Sequence, residues 1–191
     1  MANPYLREAV SFLITTTFDL YILVVMLRLL FQLVRADFYN PVSQFVIKLT
    51  TPPLRFLRRF IPGFAGVDVA SLVLMLGLKV VERWLSLGIQ GVTAGPVAVT
   101  VLAVADLLGM LINIYVVSVL AQVILSWVAP ATYNPLSALL RDLNEPIMRP
   151  AQRLLPPIAG WDVSPILVLI LLQLTSMLVV APIRDLGRSL L

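Results

Sequence analysis

The chain has 191 residues, of which 60% are hydrophobic and only 13% charged. A soluble domain carries about 25% charge, so this much apolar surface does not fold into one water-soluble core, and a soluble globular enzyme is all but excluded. There is no cysteine and no histidine, which removes disulfides, thiol and histidine catalysis, ordinary zinc sites and the usual haem ligands. Net charge is +4, from 14 Lys and Arg against 10 Asp and Glu; in a membrane chain such an excess reports orientation and lipid contact, not nucleic-acid binding.

Taken in order, Met1 to Glu8 is barely basic and no small-residue cleavage site follows the first apolar stretch, so this stretch is expected to be retained. A spanning helix needs about 20 mostly apolar residues. Four stretches are predicted to be such helices: about Ala9–Val34, interrupted by Asp19 and Arg28; about Val69–Ile89, holding Lys79, Glu82 and Arg83; about Val97–Val128, with Asp106 its only charge; and the short, uncharged stretch from about Pro165 to Val180. Gly91 to Pro96 reads as the turn between the second and third. The fold class is therefore an all-α membrane protein with four transmembrane helices.

Shifted by 94 positions, the chain matches itself. Between Tyr39 and Val69, 13 of 31 positions are identical, including Tyr39-Asn40-Pro41 on Tyr133-Asn134-Pro135, Arg55 on Arg149, Arg59 on Arg153, and Asp68 on Asp162. This is a duplication. Residues 1–94 and 95–191 form two units, each a helix, a connector (36–68 and 129–162) and a second helix. Two helices return the chain to its starting side, so the units are expected to be parallel repeats about an axis along the membrane normal.

Each connector begins with an asparagine at an N-cap position and proline at the first helical position. Val42, Phe45, Val46 and Leu49, and then Leu136, Leu139, Leu140 and Leu143, give an apolar stripe of helical period. Pro52-Pro53 and Pro146 are expected to end these helices. A further turn puts Arg55 with Arg59, and Arg149 with Arg153, on one face; Pro156, Pro157 and Gly160 form the second bend, as Pro62 and Gly66 form the first. Either the arginines reach lipid phosphates and Asp68 and Asp162 cap the next helices, or each Arg pair binds an Asp in a polar cluster near the symmetry axis. The connectors hold eight Lys and Arg against four on the opposite side, Arg7, Arg83, Arg184 and Arg188. Positive-inside bias then puts the connectors in the cytoplasm and both termini outside.

Charges at mid-membrane depth cost about 3 kcal/mol each at least, and normally face protein or water. Lys79 lies at that depth, with Glu82 and Arg83 on its face. Arg28 is similar. Under the 94-residue shift Arg28 answers to Gln122, Lys79 to Gln173 and Asp19 to Asn113. This set reads either as a seam that passes or senses an ion, or as glue between helices. Arg28, Lys79 and Arg83 against Asp19 and Glu82 make it net positive, which disfavours a cation pore. No Gly-rich phosphate loop, K⁺-filter loop or nucleophile motif occurs. Gly77, Gly88, Gly109 and Ser118 are candidates for close helix packing within or between chains, so a homo-oligomer is plausible.

The residues DFYNPVSQFV (Asp37–Val46), the run from Pro53 to Asp68 and its second copy EPIMRPAQRLLPPIAGWDVSP (Glu145–Pro165) resemble the YggT (YlmG-type) family of small bacterial membrane proteins, in its double-repeat form. Ala131-Thr132 departs from Asp37-Phe38 of the first copy. The resemblance implies a bacterial inner-membrane protein with no enzymatic role and no agreed active site or cofactor. Bacterial members are associated with osmotic stress and potassium uptake, single-repeat relatives with cell division, and chloroplast relatives with cytochrome complex assembly and nucleoid organisation. Two functions follow as expectations: support of ion uptake or osmotic tolerance, or a scaffold whose connectors recruit membrane proteins or anionic phospholipid.

Overall fold

A computed structural model of the protein describes residues 4–64, 66–128, 134–154 and 162–191. Every regular element among them is helical: α1 (Pro4–Leu33), α2 (Pro41–Leu57), α3 (Val69–Gln90), α4 (Pro96–Val128), α5 (Pro135–Leu154), α6 (Ser164–Thr175) and α7 (Ala181–Ser189). A π-helical turn, Ser176–Val180, joins α6 to α7 without a break. The last apolar stretch is thus a 26-residue rod, Ser164–Ser189, and not the short segment expected from Pro165 to Val180.

Among the described residues three helices are both long and apolar enough to cross a membrane: α1, α4 and the α6–α7 rod. Four were expected. The 22 residues of α3 have the length, but Lys79, Glu82 and Arg83 spoil its apolar composition. α4 is apolar around its whole circumference and joins the units, packing on α3 of the first and on α5, α6 and α7 of the second. α2 and α5 are amphipathic and lie against the long helix that precedes each of them. The largest buried cluster joins α1 (Ile22, Val25, Met26, Leu29) to Met75 of α3, Val46 of α2, Ile114 of α4 and Leu139 and Leu143 of α5, so both units share one core.

The prolines do not end the connector helices. Pro52 and Pro53 lie inside α2, and Pro146 and Pro150 inside α5. A proline in a helix frees the carbonyl four residues back. For Pro52 and Pro53 these belong to Lys48 and Leu49, at exposed positions where water or headgroups can solvate them. The Thr50 and Thr51 hydroxyls donate to the Val46 and Ile47 carbonyls at 2.7 and 2.6 Å, Thr50 on the buried side and Thr51 on the exposed side. The helix starts lie where the asparagines put them. Asn40 Oδ1 accepts the Val42 N–H at 3.0 Å and Asn134 Oδ1 the Leu136 N–H at 2.9 Å. Tyr133, Pro156, Pro157 and Gly160 lie outside the described residues.

Within the chain, close helix packing uses Gly109, one of the expected positions, and Gly187, which was not among them. Gly77 and Gly88 have open space where a side chain would be. Gly109 faces Arg184 and Val180, and at Gly187 a Cβ would lie 2.8 Å from Leu102 Cγ and 3.2 Å from its backbone nitrogen. Gly187 is what lets α7 approach α4.

Candidate functional site

The buried charges of α3 converge on its neighbours. Lys79 Nζ lies 2.7 Å from Asp19 Oδ1 on α1 and 2.9 Å from Glu82 Oε2. Glu82 is fully buried; its Oε1 accepts the Thr15 hydroxyl at 2.9 Å, while Oε2 has ion-pair contact with Lys79 but no hydrogen bond of good alignment. Arg83 Nε donates to Asp106 Oδ2 on α4 at 2.5 Å, and Arg184 on α7 lies 3.5 Å from Asp106 Oδ1. Beyond Glu82, Ser11 and Ser86 hydroxyls meet at 3.1 Å. Three acids and three bases on four helices therefore form one chain of net charge zero. Lys79 and Glu82 are buried and Asp106 nearly so, and each leaves water at a penalty of several kcal/mol that close pairing offsets. Arg184, read from the sequence as a flanking charge, belongs to this cluster.

Arg28 does not. It turns to the connector, donating from Nη1 to Thr50 Oγ1 at 2.8 Å and Thr51 Oγ1 at 3.1 Å. The excess of positive charge that counted against a cation pore thereby disappears. Gln173 is exposed and makes no hydrogen bond among the described residues, so it does not take the place of Lys79 in the second unit. Asn113 faces a cleft of about 590 Å³ between the units. One stripe of α4 borders this cleft: Asp106, Gly109, Met110, Asn113, Val117, Ser118 and Ala121. It runs along about 22 Å of helix. The cleft has two halves. Asp19, Lys79, Arg83, Asp106, Asn113 and Arg184 make one polar; Leu23, Leu27, Leu136, Leu139, Leu140 and Leu143 make the other apolar.

The connectors are tied down by matched polar links. Arg28 with Thr50 in the first unit answers to Gln122 with Asn144 in the second, where Asn144 Nδ2 donates to Gln122 Oε1 at 2.7 Å and Ser118 Oγ to Asn144 Oδ1 at 2.6 Å. Arg58 grips Asp68 with Nη2 at 2.5 Å and Nε at 3.3 Å; its counterpart Gln152 donates to Asp162 Oδ2 at 2.9 Å. The partner of the aspartate is thus Arg58 and not the repeated pair. Arg55 and Arg59 are exposed and make no ion pair among the described residues, nor does Arg153, while Arg149 pairs with Glu145 at 2.7 Å on the surface. Arg58 comes one residue before Arg59 and so points back toward α3.

Asp68 does not cap α3 with its side chain; the carboxylate takes Arg58 and the Ser71 hydroxyl instead. Burial alone would raise its pKa, but the Arg58 and Ser71 hydrogen bonds and the Arg58 and Arg28 charges outweigh this and hold the carboxyl below its ordinary value. Asp162 does accept a backbone N–H, from Ser164 at 2.9 Å. Burial opposes this group too, and the bonds from Ser164 and Gln152 bring its pKa down. The two connectors meet where Asn40 Nδ2 donates to the Pro135 carbonyl at 2.7 Å, with Tyr39 and Pro41 exposed beside it. Among the described residues no three acidic side chains converge in a way that could hold a metal ion.

The CCB3/YggT family model matches the chain twice, over residues 8–90 and 101–183. The chain belongs to the CCB3/YggT family. It is 41% identical over 177 residues to the uncharacterized protein PA0392 of Pseudomonas aeruginosa, covering 92% of this chain and 90% of that one. It is 36% identical over 190 residues to the uncharacterized protein YggT of Escherichia coli strain K12, covering 96% of both. No solved structure matches. The first YggT match takes in nearly all of α1 to α3, and the second most of α4 through the start of α7, so the internal repeat is a repeat of the family unit. Three residues that matter in this YggT chain, Arg58, Thr50 and Asn144, are not identical between the two units. Their signal is a polar side chain at both members of a 94-residue pair, with the chemistry changed from one unit to the other.

Proposed function

We propose that this is a non-enzymatic protein of the bacterial inner membrane that supports cation uptake, potassium being the candidate, and so osmotic tolerance, through the cleft between its two units. The observation that carries this reading is the polar half of the cleft, whose charges belong to a cluster that is neutral once the buried Glu82 behind Lys79 is counted, and which Asn113 and Ser118 continue along one face of α4. The lining itself holds Lys79, Arg83 and Arg184 against Asp19 and Asp106, and the buried Glu82, 2.9 Å from Lys79, brings the cluster to zero, with Arg28 engaged elsewhere. The leucine half then acts as a constriction that dewets when narrow, a recognised form of gate. On this reading α3 is a fourth span, its charges neutralised in place, and the units are parallel repeats with their basic connectors in the cytoplasm and both termini periplasmic.

The test is potassium flux into proteoliposomes. Wild-type protein should exceed empty vesicles. Asn113→Leu, which extends the apolar section without touching an ion pair, should reduce flux severalfold, and Leu140→Ser should increase it. Wild-type flux equal to that of empty vesicles removes the reading. The scaffold alternative rests on a different observation: Arg55, Arg59 and Arg153 are exposed and make no ion pair among the described residues, and the first two flank the exposed, edge-packed rings of Phe56 and Phe60. Crosslinking from Arg55 or Arg149 that returns a reproducible protein partner would favour it.

A further inference from the structure

We infer that the first connector holds one phosphate group, and that in the membrane this is the phosphodiester of an anionic phospholipid. A cavity of about 530 Å³ lies between the end of α1, α2 and the bend before α3. Arg28, Arg58 and Asp68 border it, a balance of one positive charge. Arg28 spends only Nη1 on Thr50, Thr51 and the Ile47 carbonyl; its Nε and Nη2 make no hydrogen bond among the described residues. Ser43 also borders the cavity. It is 2% exposed, and its hydroxyl has no partner among the described residues. A buried hydroxyl left unbonded is costly and asks for an acceptor. Two guanidinium groups and a hydroxyl are donors only or donors first, a set suited to phosphate oxygens.

The rest of the wall selects among phosphates. Phe31, Phe38, Val46, Ile47, Ile61 and Val67 are apolar. An inorganic phosphate leaves them uncovered, whereas a lipid lays its glycerol and upper acyl carbons on them. In the second unit Gln122 and Gln152 stand where the first has Arg28 and Arg58, so the two guanidinium groups of this site have no counterpart there. The duplicated connector has therefore kept its bracing in both copies and its charge in one. This site is separate from the outward-facing Arg55 and Arg59.

Native mass spectrometry of the full chain in detergent, titrated with phosphatidylglycerol, phosphatidylcholine or inorganic phosphate, tests the assignment. One phosphatidylglycerol should bind ahead of phosphatidylcholine. Arg28→Gln with Arg58→Gln, which gives the first unit the residues of the second, should weaken that binding about tenfold or more, the loss of at least one charge-assisted bond. Arg55→Gln with Arg59→Gln should leave it unchanged. Where the double Arg28/Arg58 variant does not fold, Ser43→Ala decides: it removes an unbonded hydroxyl, so the protein should stay as heat-stable as wild type while binding severalfold less lipid. Equal binding by Ser43→Ala, or loss on changing Arg55 and Arg59 instead, overturns the site. Displacement of phosphatidylglycerol by millimolar inorganic phosphate would assign the site to free phosphate and overturn the lipid.

Discussion

Lys79 touches two carboxylates, Asp19 at 2.7 Å and Glu82 at 2.9 Å, while 3% of its own surface is exposed. Removing it leaves Glu82 facing Arg83 at 4.0 Å as its nearest remaining cation. Breaking one side of a buried pair is destabilising by about 3–5 kcal/mol, so Lys79→Met should lower the unfolding free energy in detergent by about that much. Asp19→Asn, at a carboxylate 35% exposed, should lose about 1 kcal/mol or less. Adding Glu82→Gln to Lys79→Met should restore part of the loss, since the orphaned charge is then gone; no recovery would mean that shape and not charge holds this junction. Asp68 gives a pH test. Its folded pKa is depressed, so its contribution is fully present above the unfolded value near 4 and disappears as pH falls through the folded value below it. Amide exchange over the Arg58–Ser71 bend should therefore quicken below about pH 4, and in Asp68→Asn this added dependence should be missing.

Among the elements, α7 depends on a single glycine. Gly187→Ala puts a methyl 2.8 Å from Leu102 and close to its backbone, which a rotamer change alone does not relieve. Overpacking of this kind is destabilising by about 1–3 kcal/mol, and the shift should also pull Arg184 from Asp106; the same change at Gly77 or Gly88, where space is open, should be neutral or slightly stabilising. Melting temperatures of the three variants in one detergent compare them directly. The sequence shows why Gly77 was the more visible candidate: it sits inside an apolar helix, while Gly187 lies in a basic tail whose packing is set by the π turn upstream. Other elements were legible for local reasons. Asn40-Pro41 and Asn134-Pro135 mark helix starts through backbone chemistry confined to three residues, and they hold. The prolines misled because helix breaking is a local rule that exposed, solvated carbonyls and threonine hydroxyls can override. Arg58 was missed because identity under the repeat drew attention to Arg55 and Arg59, whereas the bond to the aspartate survives as a change from guanidinium to carboxamide.

For the molecule as a whole, the hydrogen bond from Asn40 to the Pro135 carbonyl brings the starts of the two connector helices together at equivalent points of the two units. Each connector is also braced to its own long helix, through Thr50 to Arg28 and through Asn144 to Gln122. Helices joined in this way cannot lie in opposite leaflets, since about 30 Å of hydrocarbon would separate them. A consequence is that an exposed residue on each connector should report the same side of the membrane. Lys48 and Arg141 are both exposed, and the absence of cysteine from the chain makes single replacements clean reporters. With Lys48→Cys and Arg141→Cys expressed separately, an impermeant thiol reagent should label neither from outside intact cells and both in inside-out vesicles. Labelling of both from outside would reverse the orientation while leaving the paired connectors standing. Labelling of one from each side would break the pairing, and with it the cleft that the two units share.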